Sequence, residues 1–209
     1  MKIPFAKEGF VFIIPLLIIT ILMFLLSFYW AAVFGGLGFL FVTWFFRDPE
    51  RHIPNEPNVI VSPADGKITE IVTEKEPING ELCKRVTIFL SVFNVHVNRV
   101  PIAGTIEEIR YNPGKFLAAF NPKASMDNEQ NIILINNGKT HVFVKQIAGL
   151  IARRIVCWPK KGDYYESGQR YGLIRFGSRV DILLPETAKL SVACGDRVSG
   201  GKSIIGYLT

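Results

Sequence analysis

Between Gly9 and Phe46 the chain has no Asp, Glu, Lys, Arg or His, a run of 38 residues without a formal charge. No other feature limits the fold so strongly. As one straight helix the run would measure about 57 Å at about 1.5 Å per residue, whereas a hydrocarbon core is about 30 Å thick. Two short spans joined near Ser27 to Ala31 fit better than one. Tyr29 and Trp30 suit the far interface, where amphipathic rings settle. Lys2 and Lys7 precede the run and Arg47 and Arg51 follow it, so the positive-inside rule puts both ends in the cytoplasm. A cleaved signal peptide would have an apolar core of about 7–15 residues, far shorter than this run. The expectation is a hairpin of two transmembrane helices over residues 1–46 in the cell membrane. A linker over 47–57, with prolines at 49, 54 and 57, then leads to a cytoplasmic domain over 58–209.

The net charge is +6, of which the first 46 residues hold +1 (Lys2, Lys7, Glu8), leaving +5 for the rest. A basic domain tethered to a membrane is drawn to the anionic leaflet. Basic runs such as Arg153-Arg154 and Lys160-Lys161 stop at two residues, which argues against a nucleic-acid partner. Cys83, Cys157 and Cys194 lie far apart, as do His52, His96 and His141, a spacing unlike a zinc site. An odd number of cysteines in the cytoplasm points to reduced, mostly buried thiols.

Beyond the linker, short Val- and Ile-rich runs alternate with Gly, Asn and Pro turns, the pattern of a mainly β barrel or sandwich. Strands are expected at 59–61, 67–72, 85–90, 95–100, 105–111, 131–135, 141–147, 153–156, 171–176, 179–184, 190–193 and 203–208, with one short helix near Lys115–Ala119. Gly162-Asp163 is followed by Tyr165, Gly168 and Tyr171, and Gly195-Asp196 by Val198, Gly201 and Ile204 at the same offsets. The repeat predicts two related hairpins in a pseudo-symmetric, lipoyl-like arrangement. Two copies are too few for a solenoid.

Three residues could carry chemistry. Ser178 follows Gly177 between two apolar strands, where a Gly-Ser step is ordinarily a turn. It also offers a serine Oγ able to attack the preceding carbonyl, and Gly177 permits the strained backbone that attack needs. Such an attack requires a general base and a group that orients it. His96 is the best base: alternation puts Asn94, His96 and Asn98 on one face, opposite Val95, Val97 and Arg99, the pattern of a wet cleft. Asp65-Gly66 reads first as a hairpin turn, and second as the carboxylate of a Ser-His-Asp relay. His141, in an alternating strand, reads as surface.

Five stretches, taken together and in order, resemble the short form of the phosphatidylserine decarboxylase family. They are Phe46-Arg-Asp-Pro-Glu-Arg-His-Ile-Pro54, Ser62-Pro-Ala-Asp-Gly66, Phe93-Asn-Val-His-Val-Asn-Arg99, Pro113-Gly-Lys-Phe116 and Ile174-Arg-Phe-Gly-Ser-Arg179. The resemblance implies self-cleavage between Gly177 and Ser178 into fragments 1–177 and 178–209, which stay together as a heterodimer. It implies that Ser178 becomes a pyruvoyl group forming a Schiff base with a serine phospholipid, with neither metal nor pyridoxal phosphate. It also implies that Asp65 assists cleavage. Longer members carry Leu-Gly-Ser-Thr at the cut and a second histidine three residues after the first. This chain has Phe176-Gly-Ser-Arg179, and Arg99 where the second histidine would stand. Either His96 serves both steps or another group drives self-cleavage, and the Arg99 fork suits a phosphate or carboxylate. Lys115, Lys123 and Glu129 match family segments without an assigned role.

Two other readings remain at this stage. Archaeal members of the short group act on archaetidylserine, whose tails are ether-linked. A membrane-anchored lipoyl-like adaptor or carrier would explain the Gly-Asp repeat. A carrier, however, needs an exposed lysine beside methionine at a hairpin tip, and Met23 and Met126 have no adjacent lysine.

Overall fold

The computed structural model describes residues 4–77, 80–114, 128–149, 154–175 and 178–209. It divides into two units, Met1–Glu50 and Arg51–Thr209.

In the first unit a 3-10 turn at Lys7–Gly9 leads into helix α1 (Phe10–Leu25), and helix α2 (Tyr29–Phe45) follows. The chain reverses through residues 26–28, with Ser27 at a φ of 62°. Gly35 lets the helices approach, since a Cβ there would meet Thr20 Oγ1 at 2.6 Å. The far ends are tied together: Ala6 N–H donates to the Phe46 carbonyl at 2.9 Å, and Asp48 N–H to that of Pro4 at 2.7 Å. The pair is thus a helical hairpin whose charged flanks lie at one end. Its surface is apolar, with Trp30 81%, Phe34 72% and Val11 71% exposed. Lys7–Leu25, at 19 residues, is long and apolar enough to cross a membrane, and α2 is slightly shorter at 17.

The second unit is mainly β. Among the described residues its strands are β1 (Val59–Val61), β2 (Gly66–Lys75), β3 (Leu82–Leu90), β4 (Val97–Arg99), β5 (Gly104–Asn112), β6 (Gln130–Asn136), β7 (His141–Ala148), β8 (Ile155–Cys157), β9 (Tyr164–Tyr165), β10 (Arg170–Ile174), β11 (Ser178–Pro185), β12 (Lys189–Leu190), β13 (Arg197–Val198) and β14 (Ile204–Tyr207). Each expected strand has a counterpart among the described residues, that at 190–193 being cut back to Lys189–Leu190, and the two-residue β9 and β13 are additions; residues 153 and 176 of two expected strands lie outside the described residues. The helix expected at Lys115–Ala119 lies outside the described residues. A curled antiparallel sheet runs β13-β2-β3-β11-β7-β6-β5-β9, and two three-stranded sheets run β1-β14-β12 and β4-β10-β8. Alternate residues of the large sheet (Ile68, Ile88, Ile106, Ile133, Val144, Ile182) point into one core, where each is fully buried. The driving force is this burial, about 1.5–3 kcal/mol for each large aliphatic side chain.

The strand order of the large sheet reads alike from either end. The series β13, β2, β3, β11 answers to β9, β5, β6, β7, and β1-β14-β12 answers to β4-β10-β8. The bonds repeat as well. Gly162 N–H donates to the Ile106 carbonyl and Gly195 N–H to that of Ile68, both at 2.8 Å. The carboxylates of Asp163 and Asp196 accept from Lys160 N–H and Ala193 N–H, both at 2.8 Å. Gly162, Gly168, Gly195 and Gly201 all take positive φ, a region that suits glycine. One arm, β4–β10, is a single stretch of chain lying between β3 and β11 of the other arm. The chain therefore passes between arms twice, once between β3 and β4 and once between β10 and β11.

One expected turn is corrected. Asp65-Gly66 does not form a hairpin, because β1 and β2 belong to different sheets. Gly66 is needed instead for close approach: a Cβ there would lie 2.3 Å from the Phe89 carbonyl oxygen.

Candidate active site at the crossings between the arms

Ser178 opens β11 in the middle of the large sheet, paired with Leu90 of β3 and Ala148 of β7. Its side chain belongs to the inward row with Val180, Ile182 and Leu184, and it is wholly buried. Among the described residues its Oγ has no hydrogen-bond partner. Leaving a buried hydroxyl unsatisfied costs about 1–3 kcal/mol and calls for a reason. Next to it, Ala148 N–H donates to the Glu129 carbonyl at 2.9 Å, and the Ala148 carbonyl accepts from Asn128 Nδ2 at 2.7 Å. Both backbone groups of Ala148 thus point away from β11. Ser178 and Ala148 form the closer, non-hydrogen-bonded kind of pair, and the Ser178 N–H faces Leu90. That N–H belongs to the 177–178 peptide bond. Gly177 itself lies outside the described residues.

His96 ends the other crossing. Ile174 N–H donates to its carbonyl at 3.3 Å, which extends the β4–β10 ladder to within four residues of Ser178. The ring is buried, and Nδ1–H donates to the Asn94 carbonyl at 3.0 Å. A carbonyl can only accept, so in the neutral ring Nε2 is the basic nitrogen. The turn holding that carbonyl is fixed by Ser91, whose N–H and Oγ–H both donate to Asn94 Oδ1, at 2.9 and 2.8 Å. Two residues on, Asn98 Oδ1 accepts from Gln146 Nε2 at 2.8 Å, and Gln146 Oε1 accepts from Asn131 at 3.2 Å. Gln146 pairs with Val180, two residues along the same inward row from Ala148 and Ser178. The alternation that brings Asn98 to Gln146 therefore carries His96 toward the Ser178 end of the sheet. The expected wet cleft is corrected, because His96, Asn98 and the opposing Val97 are all buried. The strand is covered on both faces, and Gln146, rather than an open cleft, faces the Oδ1 of Asn98.

Asp65, just before β2, and Arg99, at the end of β4, both lie against the Gly200-Gly201 turn. Asp65 Oδ1 accepts from Gly200 N–H at 2.7 Å, and Oδ2 is 2.9 Å from Arg51 Nη2. Arg99, buried, donates through Nη1 to the Gly168 carbonyl at 2.9 Å, and its N–H reaches the Pro63 carbonyl at 2.9 Å. The imidazole tautomer is thus set by a backbone oxygen of Asn94, while Asp65 organises the Arg51–Gly200 turn. Glu129, also buried, accepts at Oε1 from Tyr111 O–H at 2.9 Å and Ile155 N–H at 3.2 Å. Lys115 and Lys123 lie outside the described residues. His141 is half exposed, with Nε2 3.0 Å from Glu107.

Sequence reasoning missed Arg51, Asn128, Gln146 and the pair formed by Arg179 and Asp181. The Arg179 fork grips Asp181 through Nε (2.7 Å) and Nη2 (2.9 Å), and Nη2 also reaches Thr87 Oγ1 at 3.3 Å. Asp181 lies in register between Thr87 and Lys145. Burial pulls the Lys145 ammonium down from its ordinary pKa, and the Asp181 carboxylate opposes that pull. The signal was present in the sequence: charged residues recur at the outward positions of β11, a strand otherwise apolar.

The thiols divide into two classes. Burial, then the charges of Glu74 and Glu76, push Cys83 up to about 11, and burial pushes Cys157 to about 11. Cys194 is exposed, which corrects the expectation of mostly buried thiols. At pH 8 only about one Cys83 or Cys157 in a thousand would be thiolate, the reactive form. Iodoacetamide on the folded protein is expected to add one group per chain, at Cys194, and three groups only after denaturation. Rapid labelling of Cys83 or Cys157 in the folded state would contradict this assignment.

The sequence profile of the phosphatidylserine decarboxylase family matches residues 39–206. The phosphatidylserine decarboxylase proenzyme of Syntrophus aciditrophicus is 47% identical, covering 96% of both chains. That of Geotalea uraniireducens is 45% identical, covering 98% of this chain and 97% of its own. That of Symbiobacterium thermophilum is 46% identical, covering 97% and 95%. The chain is an enzyme of the decarboxylase class. It belongs to the phosphatidylserine decarboxylase family. The adaptor reading is set aside.

Proposed function

We propose that this chain is the proenzyme of a phosphatidylserine decarboxylase, which cuts its own Gly177–Ser178 bond and turns Ser178 into a pyruvoyl group. One observation carries the reading: a buried serine hydroxyl, without a partner among the described residues, immediately follows a glycine at the head of a central strand. The site fits the group, because a three-carbon carbonyl in place of that side chain leaves no donor stranded.

In the self-cleavage, Ser178 Oγ adds to the Gly177 carbonyl carbon while its proton passes to a base, for which His96 Nε2 is the candidate. The carbon–nitrogen bond breaks, leaving an ester and a free amine on residue 178. Loss of the Ser178 Cα proton then expels the Gly177 carboxylate. Water replaces the nitrogen, which leaves as ammonia. Asp65 assists by holding the Arg51–Gly200 turn. Once formed, the group supplies a carbonyl that captures a primary amine and draws electrons as carbon dioxide leaves, so no metal or pyridoxal phosphate is needed. His96 returns a proton to the carbon that lost the carboxylate, and phosphatidylethanolamine is the product. Arg99 is proposed to meet the substrate phosphate or carboxylate, which its planar fork suits.

The fragments 1–177 and 178–209 are proposed to remain a heterodimer, because the smaller supplies β11 in mid-sheet and β12, β13 and β14 elsewhere. The apolar helical hairpin is proposed to sit in the cell membrane with the catalytic unit on the cytoplasmic side, close to a substrate whose acyl chains stay in the bilayer. The two arms are read as duplicated, lipoyl-like halves.

The test is chemical trapping. With phosphatidylserine vesicles and cyanoborohydride, the 32 residues from 178 to 209 should acquire a covalent adduct, hydroxylamine should inactivate the enzyme, and chelators should not. Full activity after hydroxylamine would exclude a reactive carbonyl at residue 178.

A further inference from the structure

We infer that Asn128 and Glu129 are positioning residues, a clamp that fixes the strand bearing Ser178 relative to the strand bearing His96. The inference rests on the self-cleavage proposed above. On one side the dipeptide takes both backbone groups of Ala148, through Asn128 Nδ2 at 2.7 Å and the Glu129 carbonyl at 2.9 Å. Ala148 is the residue directly beside Ser178. On the other side Glu129 Oε1 accepts from Ile155 N–H at 3.2 Å. Ile155 is the ladder partner of Ile174, whose N–H holds the His96 carbonyl at 3.3 Å. The path from Ser178 through Ala148, the dipeptide, Ile155 and Ile174 to His96 is therefore continuous, made of strand pairing and hydrogen bonds. It spans both crossings between the arms.

Three further observations support a built clamp. Asn128 and Glu129 are 0% and 3% exposed, so a carboxylate has been buried at a site where an apolar residue would cost less. Tyr111 O–H completes the Glu129 acceptor at 2.9 Å. Gly114, at a φ of +45°, lies flat against the dipeptide, where a Cβ would stand 2.1 Å from the Asn128 carbonyl carbon. That contact gives the glycine of the Pro113-Gly114 motif a structural purpose. Attack by Oγ on its own preceding carbonyl demands close alignment of nucleophile and base. The clamp supplies alignment without touching a reacting atom.

The test measures the rate at which newly made full-length chain is cut, by pulse–chase, with the thermal midpoint of each variant recorded alongside. Asn128→Asp, which faces the Ala148 carbonyl with an acceptor, and Glu129→Ala are each expected to slow cutting at least about tenfold. Glu129→Gln keeps an oxygen that accepts both bonds and should stay within about threefold of wild type. Equal damage from Glu129→Gln and Glu129→Ala would make the negative charge the active property and overturn the clamp. So would wild-type cutting by a folded Asn128→Asp or Glu129→Ala chain. Should either chain fail to fold, Tyr111→Phe removes one bond from an exposed ring and should slow cutting about threefold; no change there would also overturn the clamp. Absence of cutting in the wild-type chain would count against self-cleavage itself, whereas a wild-type cut with unaffected variants would count against the clamp alone.

Discussion

Ser178→Ala is expected to remain one uncut chain of 209 residues without decarboxylase activity, while the wild type resolves into pieces of 177 and 32. The effect should be complete, because alanine lacks both the attacking oxygen and the leaving oxygen for elimination. Folding should survive, since the substitution removes a buried hydroxyl that has no partner among the described residues and leaves β11 its inward row. The variant should match or exceed the thermal midpoint of the uncut parent, as the unsatisfied group costs about 1–3 kcal/mol. In the wild type, the small piece should resist Edman degradation and weigh one ammonia less than the serine-ended peptide. Ser178→Thr keeps a hydroxyl but adds a methyl beside Ala148 in a close pair, so slow cutting is expected. An active wild-type preparation showing a single full-length band with an ordinary serine at 178 would end the pyruvoyl reading.

His96→Ala should lower turnover per mature site by about 10²–10⁴, the usual loss when a positioned acid–base group is removed. Counting mature sites by intact mass separates this loss from any failure to cut. If variant chains are still cut but do not turn over lipid, another base serves self-cleavage and His96 belongs to the decarboxylation alone. Chains that are not cut would place His96 in self-cleavage. Asp65→Ala should slow cutting less, because the Asn94 carbonyl still holds the ring and only the Arg51–Gly200 turn is loosened. Normal turnover by mature His96→Ala protein would remove the histidine from the mechanism.

Much of the fold could be read in the sequence. Val-Ile alternation and intervening turns marked β2, β3, β5, β6, β7 and β11, because each buries one face and periodicity reports burial directly. The strands β9 and β13 escaped, being two residues long and held by backbone bonds that leave no side-chain pattern. The Asp65-Gly66 pair misled because local turn chemistry cannot reveal that its flanking strands join different sheets. The serine and histidine of the site were visible as residue types, but their burial was not. Polar alternation at 94–98 looks the same whether water or Gln146 answers it. Asn128 and Arg51 fall where sequence shows only ordinary loop and linker composition, and their partners are remote along the chain.

The two crossings between arms have a topological consequence. In the uncut chain the inserted arm is a closed loop, joined to its host between β3 and β4 and again between β10 and β11. The proposed cut after residue 177 would release the second join and leave the loop a pendant on one covalent strap, the strap that bears His96. The freed carboxyl end would regain the conformational entropy that loop closure removes.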